Sequence, residues 1–245
     1  DAGNEPSIAV NPNNPDIIVI GWRQFDTVQS DFRQGGWGYS HDGGTSWTFP
    51  GVLEPYVFRS DPVLDSDAYG VFYYYSLTDA FTYDLFRSFN RGVNWPYMTF
   101  AYGGDKGWMV VDKTDGPGRG SIYGTWSGGD LSRSTDGGQT FQRPISLPGS
   151  PYFGTMAIGP QSELYIVGDW GIFTKSLNAW DSSVTPVFTP YVYVDLGGSI
   201  QGGYFGTPNP GGGSSGAILG QMWVATGRFP PSTGESICVL ASVTN

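Results

Sequence analysis

An eight-residue pattern returns three times at nearly constant spacing, and no other feature of the sequence restricts the fold so tightly. Its copies are Ser40-His41-Asp42-Gly43-Gly44-Thr45-Ser46-Trp47, Ser88-Phe89-Asn90-Arg91-Gly92-Val93-Asn94-Trp95 and Ser134-Thr135-Asp136-Gly137-Gly138-Gln139-Thr140-Phe141. The third positions stand at 42, 90 and 136, so the intervals are 48 and 46 residues. Short aromatic and β-branched runs precede each copy, and a repeat of that length built from such runs describes one four-stranded propeller blade. Each copy also has a mechanical reading. Asp-Gly-Gly is a hairpin turn in which glycine takes positive φ without steric cost and the Asp carboxylate folds onto backbone amides. The leading Ser bonds within the turn, and the closing Trp or Phe opens the next strand and buries a large apolar area.

Composition agrees with many short strands joined by tight turns. Gly at 38 and Pro at 18 of 245 residues, with aromatics at 16% and charged residues at 14%, leave no convincing amphipathic helix. A formal charge of -10 argues against a nucleic-acid backbone or an anionic membrane as partner, since either needs a basic patch. The single cysteine, Cys238, excludes an internal disulfide and a cysteine zinc site, and it is expected as a small buried core residue. No run of eighteen apolar residues exists, so no membrane span is expected. The start at Asp1, close to a strand, suggests an export signal removed or lying outside this sequence.

The expected architecture is an all-β propeller of four-stranded antiparallel blades filling residues 1–245 as a single domain, with approximate blades at 5–55, 60–103, 105–149, 152–196 and an incomplete 218–245. The repeated turns fall between the third and fourth strands. In the fourth unit Ser176-Leu177-Asn178-Ala179-Trp180 takes that place without glycines, and its outer strand is Val187-Phe188 or Tyr191–Val194. The Gly/Pro/Ser-rich stretch 197–216 is expected to hold no regular ladder. About four and a half blades are countable, which suggests part of a larger, six- or seven-bladed propeller; a five-bladed ring with a degenerate last blade is the alternative.

Propellers place function around the central channel, at the loops that enter each innermost strand and those joining second and third strands. Aligning the units puts Glu5, Asp61, Lys106, Phe153 and Gly220 at equivalent opening positions, with Asp105 beside Lys106. The loops after the second strands supply Arg23, Gln24 and Asp26, then Asp79, then Trp126, then Asp169 and Trp170. Carboxylates of such a rim would take sugar hydroxyls, and indoles the apolar face of the ring. Structural roles compete for the same residues. An acid before an inner strand, as in Glu5-Pro6 and Asp61-Pro62, ties neighbouring blades, Arg23 is equally one half of an inter-blade ion pair, and Trp126 and Trp170 serve as wedges between sheets. His41, the only histidine, lies in a turn and is expected at the surface. No metal site is expected, calcium among the rim carboxylates stays open without a supporting loop motif, and no cofactor is implied.

The repeats resemble the Asp boxes, or BNR repeats, of the sialidase-like β-propellers. The residues that carry the resemblance are Ser40, Asp42, Gly44 and Trp47, Ser88, Asn90, Gly92 and Trp95, and Ser134, Asp136, Gly138 and Phe141. The openings Glu5-Pro6-Ser7-Ile8-Ala9-Val10-Asn11-Pro12, Asp61-Pro62-Val63-Leu64, Asp105-Lys106-Gly107-Trp108 and Gly220-Gln221-Met222-Trp223-Val224 are similar to those of bacterial secreted proteins of this kind. The resemblance implies a secreted, extracellular propeller with a glycan or extracellular polymer as ligand. Asp boxes also occur in other glycosidases, sorting receptors and assembly factors, so they imply no activity. A sialidase holds the sialate carboxylate with three arginines and uses a glutamate-activated tyrosine and an aspartate. The Arg-Ile-Pro motif that normally supplies the first arginine is absent, Arg23 is a distant candidate, and the remaining set has no assignable positions. An ordinary glycosidase needs two carboxylates about 5–9.5 Å apart, for which Asp61 with Asp105 or Asp169 are the candidates. The expectation is a glycan-binding or scaffold module lacking a complete sialidase set. The alternatives are an exo-sialidase-type glycoside hydrolase, or a subunit whose partner chain completes the propeller.

Overall fold

The computed structural model describes residues 2–197, 199–200, 222–228, 235–240 and 243–244. Four antiparallel four-stranded sheets follow one another along the chain. The first holds β1 (Ala2–Val10), β2 (Ile18–Phe25), β3 (Gln34–Ser40) and β4 (Thr48–Val52), and the second β5 (Ser60–Ser66), β6 (Phe72–Leu77), β7 (Tyr83–Ser88) and β8 (Tyr97–Phe100). The third holds β9 (Trp108–Val111), β10 (Ile122–Thr125), β11 (Asp130–Ser134) and β12 (Ile145–Ser146), and the fourth β13 (Thr155–Ile158), β14 (Leu164–Gly168), β15 (Ile172–Ser176) and β16 (Val192–Tyr193). Each sheet is a meander in sequence order, which is the blade of a propeller. Two pairs complete the described residues: β17 (Ser199–Ile200) with β20 (Val243–Thr244), and β18 (Trp223–Arg228) with β19 (Glu235–Leu240).

The repeated pattern forms the turn between third and fourth strands, as its chemistry requires. The Ser hydroxyl donates to the Asx carboxyl or amide oxygen at 2.8, 2.9 and 2.7 Å in the three copies, and accepts the N–H of Gly44, Gly92 and Gly138 at 2.9, 3.0 and 2.8 Å. The same Asx oxygen accepts the amide four residues on, from Ser46, Asn94 and Thr140. These bonds hold the Asp42 carboxyl down at about 2, with the Ser46 hydroxyl contributing most. The glycines have φ of 88°, 82° and 80°, and the turns press on the preceding blade: a Cβ at Gly92 would lie 2.4 Å from Val19, and one at Gly138 2.6 Å from Leu85. His41 is exposed, with its Nε2 3.0 Å from the carbonyl of Arg91 in the next blade's turn.

Successive innermost strands pack side by side, β1 on β5, β5 on β9, β9 on β13 and β13 on β18. The core lies between blades as layers of aliphatic and aromatic side chains. Between blades two and three it includes Tyr75, Tyr83, Leu85, Met109 and Ile122, with the Tyr75 and Tyr83 rings stacked 4.1 Å apart. Because β6 is covered on both faces, every residue from Phe72 to Leu77 is buried, and the alternation of a one-sided strand is lost.

Four local expectations change. Cys238 is exposed, because β18 and β19 form a two-stranded pair among the described residues and Cys238 falls with Leu240 on its uncovered face. The glycine-rich stretch, expected to hold no ladder, contributes Ser199 and Ile200 to a two-residue pairing with β20. Both proposed outer segments of blade four pair with β15: Val192–Tyr193 as β16, and Phe188 through a bridge to Ser176. The glycine-free turn keeps the Ser176-to-Asn178 bond at 3.1 Å, but Asn178 accepts from Val187 nine residues on, which opens the turn.

Candidate functional site

The strand openings share an unusual backbone. Glu5, Asp61, Lys106 and Phe153 have φ of 52°, 44°, 54° and 50°, left-handed values that non-glycine residues rarely adopt. In the first two blades the pairing of first and second strands shifts register just there, between Asn4 and Ser7 and between Ser60 and Val63. Gly107 is needed beside Lys106 for room: its N–H donates to the Tyr83 hydroxyl at 2.6 Å, and a Cβ would meet that ring at 2.5 Å. The effect of this backbone is to collect side chains from different blades at one end of the channel.

Three of these side chains and Arg23 form one charged cluster. Lys106 Nζ lies 2.8 Å from Glu5 Oε1, reaching from the third blade to the first, and 3.5 Å from Asp61 Oδ2. Arg23, at the end of β2, places Nη2 3.0 Å from Glu5 Oε1 and Nη1 3.6 Å from Asp61 Oδ1, while its Nε donates to Asn4 Oδ1 at 2.7 Å. The Glu5 and Asp61 carboxyls share the same two cations, and their acidities shift in opposite directions. Burial pushes Glu5 up; burial also works to raise Asp61, but hydrogen bonds from Ser60 and Glu5 and the charges of Lys106 and Arg23 outweigh it and hold Asp61 down. Glu5 Oε2 and Asp61 Oδ2 are buried without a hydrogen-bond partner among the described residues, Asp61 Oδ2 keeping only its ion pair with Lys106.

The remaining rim residues are scattered. Asp26 receives a 3.4 Å bond from Gln34 at the outer edge of blade one, and Asp79 is exposed in the β6–β7 turn. Asp105 is half-buried and its carbonyl accepts the N–H of Ser127. Trp126 is buried with Gly104 and Gly128 against its indole, so it acts as a wedge. Asp169 is buried in the short 3-10 turn Asp169–Gly171, and its N–H donates to the Tyr152 carbonyl. The side chain of Trp170 and all of Gly220 lie outside the described residues.

Two tryptophans that the sequence reading did not place at the rim meet there. Trp108 and Trp223 contact edge to face, ring centroids 4.7 Å apart, although β13 lies between their strands. Trp223 is 46% exposed. Hydrogen bonds explain the match. Ser7 Oγ accepts the Leu64 N–H and Thr155 Oγ1 accepts the Val224 N–H, so Trp223 is the equivalent of Val63, Trp108, Ser7 and Thr155. The equivalent of Asp61 is then position 221 rather than Gly220. A Trp closing both openings, Asp105-Lys106-Gly107-Trp108 and Gly220-Gln221-Met222-Trp223, was the available signal. Among the described residues no group of three or more His, Cys, Asp and Glu side chains is placed to hold a metal.

No protein-family model and no curated protein matches the chain. Solved structures do. The K499G mutant of the NanB sialidase from Streptococcus pneumoniae aligns with a TM-score of 0.59 at 9% identity, over 97% of this chain and 56% of its own. The leech intramolecular trans-sialidase, complexed with 2,7-anhydro-Neu5Ac, gives 0.59 at 11% over 97% and 55%. The α-L-arabinanase of Penicillium chrysogenum, complexed with arabinobiose, gives 0.54 at 12% over 98% and 75%. The chain thus spans little more than half of either sialidase. At such identities the likeness carries the fold and nothing finer: this chain is a β-propeller of the architecture that these sialidases and the arabinanase share.

Proposed function

We propose that the protein is an exported carbohydrate-binding propeller that takes a glycan at the axial mouth. One observation carries the reading: the mouth has two chemically distinct halves. Glu5, Arg23, Asp61 and Lys106 form the polar half, and the Trp108–Trp223 pair forms the aromatic half. A pyranose offers the same division, hydroxyls at its edge and C–H groups on its faces. The fold's occurrence in an arabinanase bound to arabinobiose and in a trans-sialidase bound to a sialic-acid product is consistent with this reading. The test is a glycan array probed with the protein and with Trp108→Ala and Trp223→Ala. Binding that falls at least tenfold in both variants supports the reading, and unchanged binding refutes it.

A hydrolase reading is favoured by the Glu5–Asp61 pair, whose carboxyls are pushed in opposite directions, Glu5 up and Asp61 down, the sense of divergence an acid/base pair needs. Both carboxyls are nevertheless held by the same two cations, Arg23 and Lys106, as a structural ion cluster, so binding without turnover is the better account. Sugar release from sialyl or aryl glycosides that Glu5→Gln abolishes would replace it. A compact monomer in native mass spectrometry would remove the assembly alternative, in which a partner chain supplies further strands.

A further inference from the structure

At the opposite end of the propeller, a groove of about 800 Å³ runs along the seam between the second and third blades. Its floor is turn backbone, and its walls carry Tyr69, Phe89 and Tyr97, which are 74%, 60% and 52% exposed. Two guanidinium groups face it. Arg119 lies over the Tyr69 ring at 5.1 Å while pairing with the exposed Asp115, and Arg87 lies over the Tyr97 ring at 5.6 Å.

Arg87 is the informative residue. It stands one position before the Ser of its turn, where the third blade has Arg133. At Arg133 the fold uses the whole guanidinium: Nε donates to Gln142 Oε1 at 2.7 Å, Nη1 to the Ala179 carbonyl and Nη2 to the Val184 carbonyl at 2.6 Å each, tying blade three to blade four. At Arg87 the next blade offers only the Gly137 carbonyl at 3.5 Å, and the buried Nε has no hydrogen-bond partner among the described residues. A buried charged donor left unmade is costly, so an acceptor brought to this place is favoured.

The two carboxylates of the groove do not supply it. Asp67 is occupied by the N–H groups of Tyr69 and Val71 and by the Tyr73 hydroxyl, and Asp136 by its own turn. The lining turns also spend their backbone groups internally, as in Asp67 N–H to the Val71 carbonyl and Gly120 N–H to the Asp112 carbonyl. A peptide would find only the four-residue outer edge of β8 to join, whereas a saccharide is read by side chains alone.

We propose that this groove is a second binding site, for a carboxylated sugar residue whose carboxylate meets Arg87 and Arg119 and whose ring faces lie on Tyr69 and Phe89. It lies at the other end of the channel from the axial mouth and stands or falls separately from it.

Calorimetric titration with a galacturonate trisaccharide, its methyl ester and a peptide rich in Asp and Phe tests the proposal. The acid form should bind, the ester at least tenfold more weakly, and Arg87→Gln should lose about tenfold or more while its melting temperature is kept. Trp108→Ala should leave this binding intact. The proposal is overturned if the acid form gives no binding, if acid and ester bind equally, if Arg87→Gln binds the acid as well as the parent does, or if only the peptide binds.

Discussion

Gly137 and Gly138 are neighbours in the third repeated turn, and they allow blade-on-blade packing to be measured within one loop. Both have left-handed φ, 70° and 80°. A Cβ at Gly137 meets nothing within 4 Å, while one at Gly138 lies 2.6 Å from Leu85 Cδ2 and 3.2 Å from Ile122 Cδ1. Alanine at either position costs about 1–2 kcal/mol of backbone strain, offset by about 0.4–1 kcal/mol from the stiffer unfolded chain. Gly137→Ala should therefore cost about 0.5–1 kcal/mol. At Gly138 the overpacking of a core side chain adds about 1–3 kcal/mol, because Leu85 is fully buried and cannot swing outward. For a chain of this size about 2–4 °C accompany each kcal/mol, so thermal unfolding should show a drop of about 2 °C for Gly137→Ala and about 5–12 °C for Gly138→Ala. Adding Leu85→Ala to Gly138→Ala should give less than the sum of the two single effects, since both act on one contact. Equal drops for the two glycines, or strict additivity with Leu85, would refute the packing of each turn on the blade before it.

Other expectations follow from the same geometry. Asp42→Asn should change the melting temperature at neutral pH by only a few degrees, since Asn90 accepts the equivalent bonds in the second turn. The parent carboxyl is lowered in the fold from 3.8 to about 2, so its contribution is full above about pH 4 and is lost as the pH falls through 2; the variant should flatten that acid limb in unfolding measured at pH 5, 3 and 2. Arg133→Gln breaks charged bonds to two carbonyls and should cost on the order of 3 kcal/mol in denaturant unfolding, against less than 1 kcal/mol for Arg87→Gln; equal costs would show that both arginines hold blades together. Cys238 should react with a thiol reagent in the folded protein without denaturant, as its exposure requires, and protection until unfolding would place it in a covered interface.

What the sequence made legible was local. The turns at 42, 90 and 136 fix their own hydrogen bonds within eight residues, so strand order and blade boundaries follow from them. The axial cluster depends on contacts such as Lys106 with Glu5, 101 residues apart, and the sequence could name its members without pairing them. It also named rim residues that the fold keeps apart: Trp126 fills a gap under two glycines and Asp26 lies at a blade's outer edge. The pairing of Trp108 with Trp223 was missed because the bond from the Val224 N–H to Thr155 Oγ1 sets the fifth unit one residue away from the alignment that its strand opening suggests. Cys238 shows the limit of alternation, which divides a strand into two faces without saying whether the second is covered.

The left-handed openings at Glu5, Asp61, Lys106 and Phe153 also bear on how this mouth can be remade. Each side chain there is aimed by its backbone rather than by its own chemistry, as the presence of an acid, a base and a phenyl ring at one conformation shows. Such positions behave as sockets in a common frame: the plug in one can be exchanged while the others keep their aim. Ligand preference could then be rewritten one blade at a time, with the turns that hold the blades together left untouched at the far end.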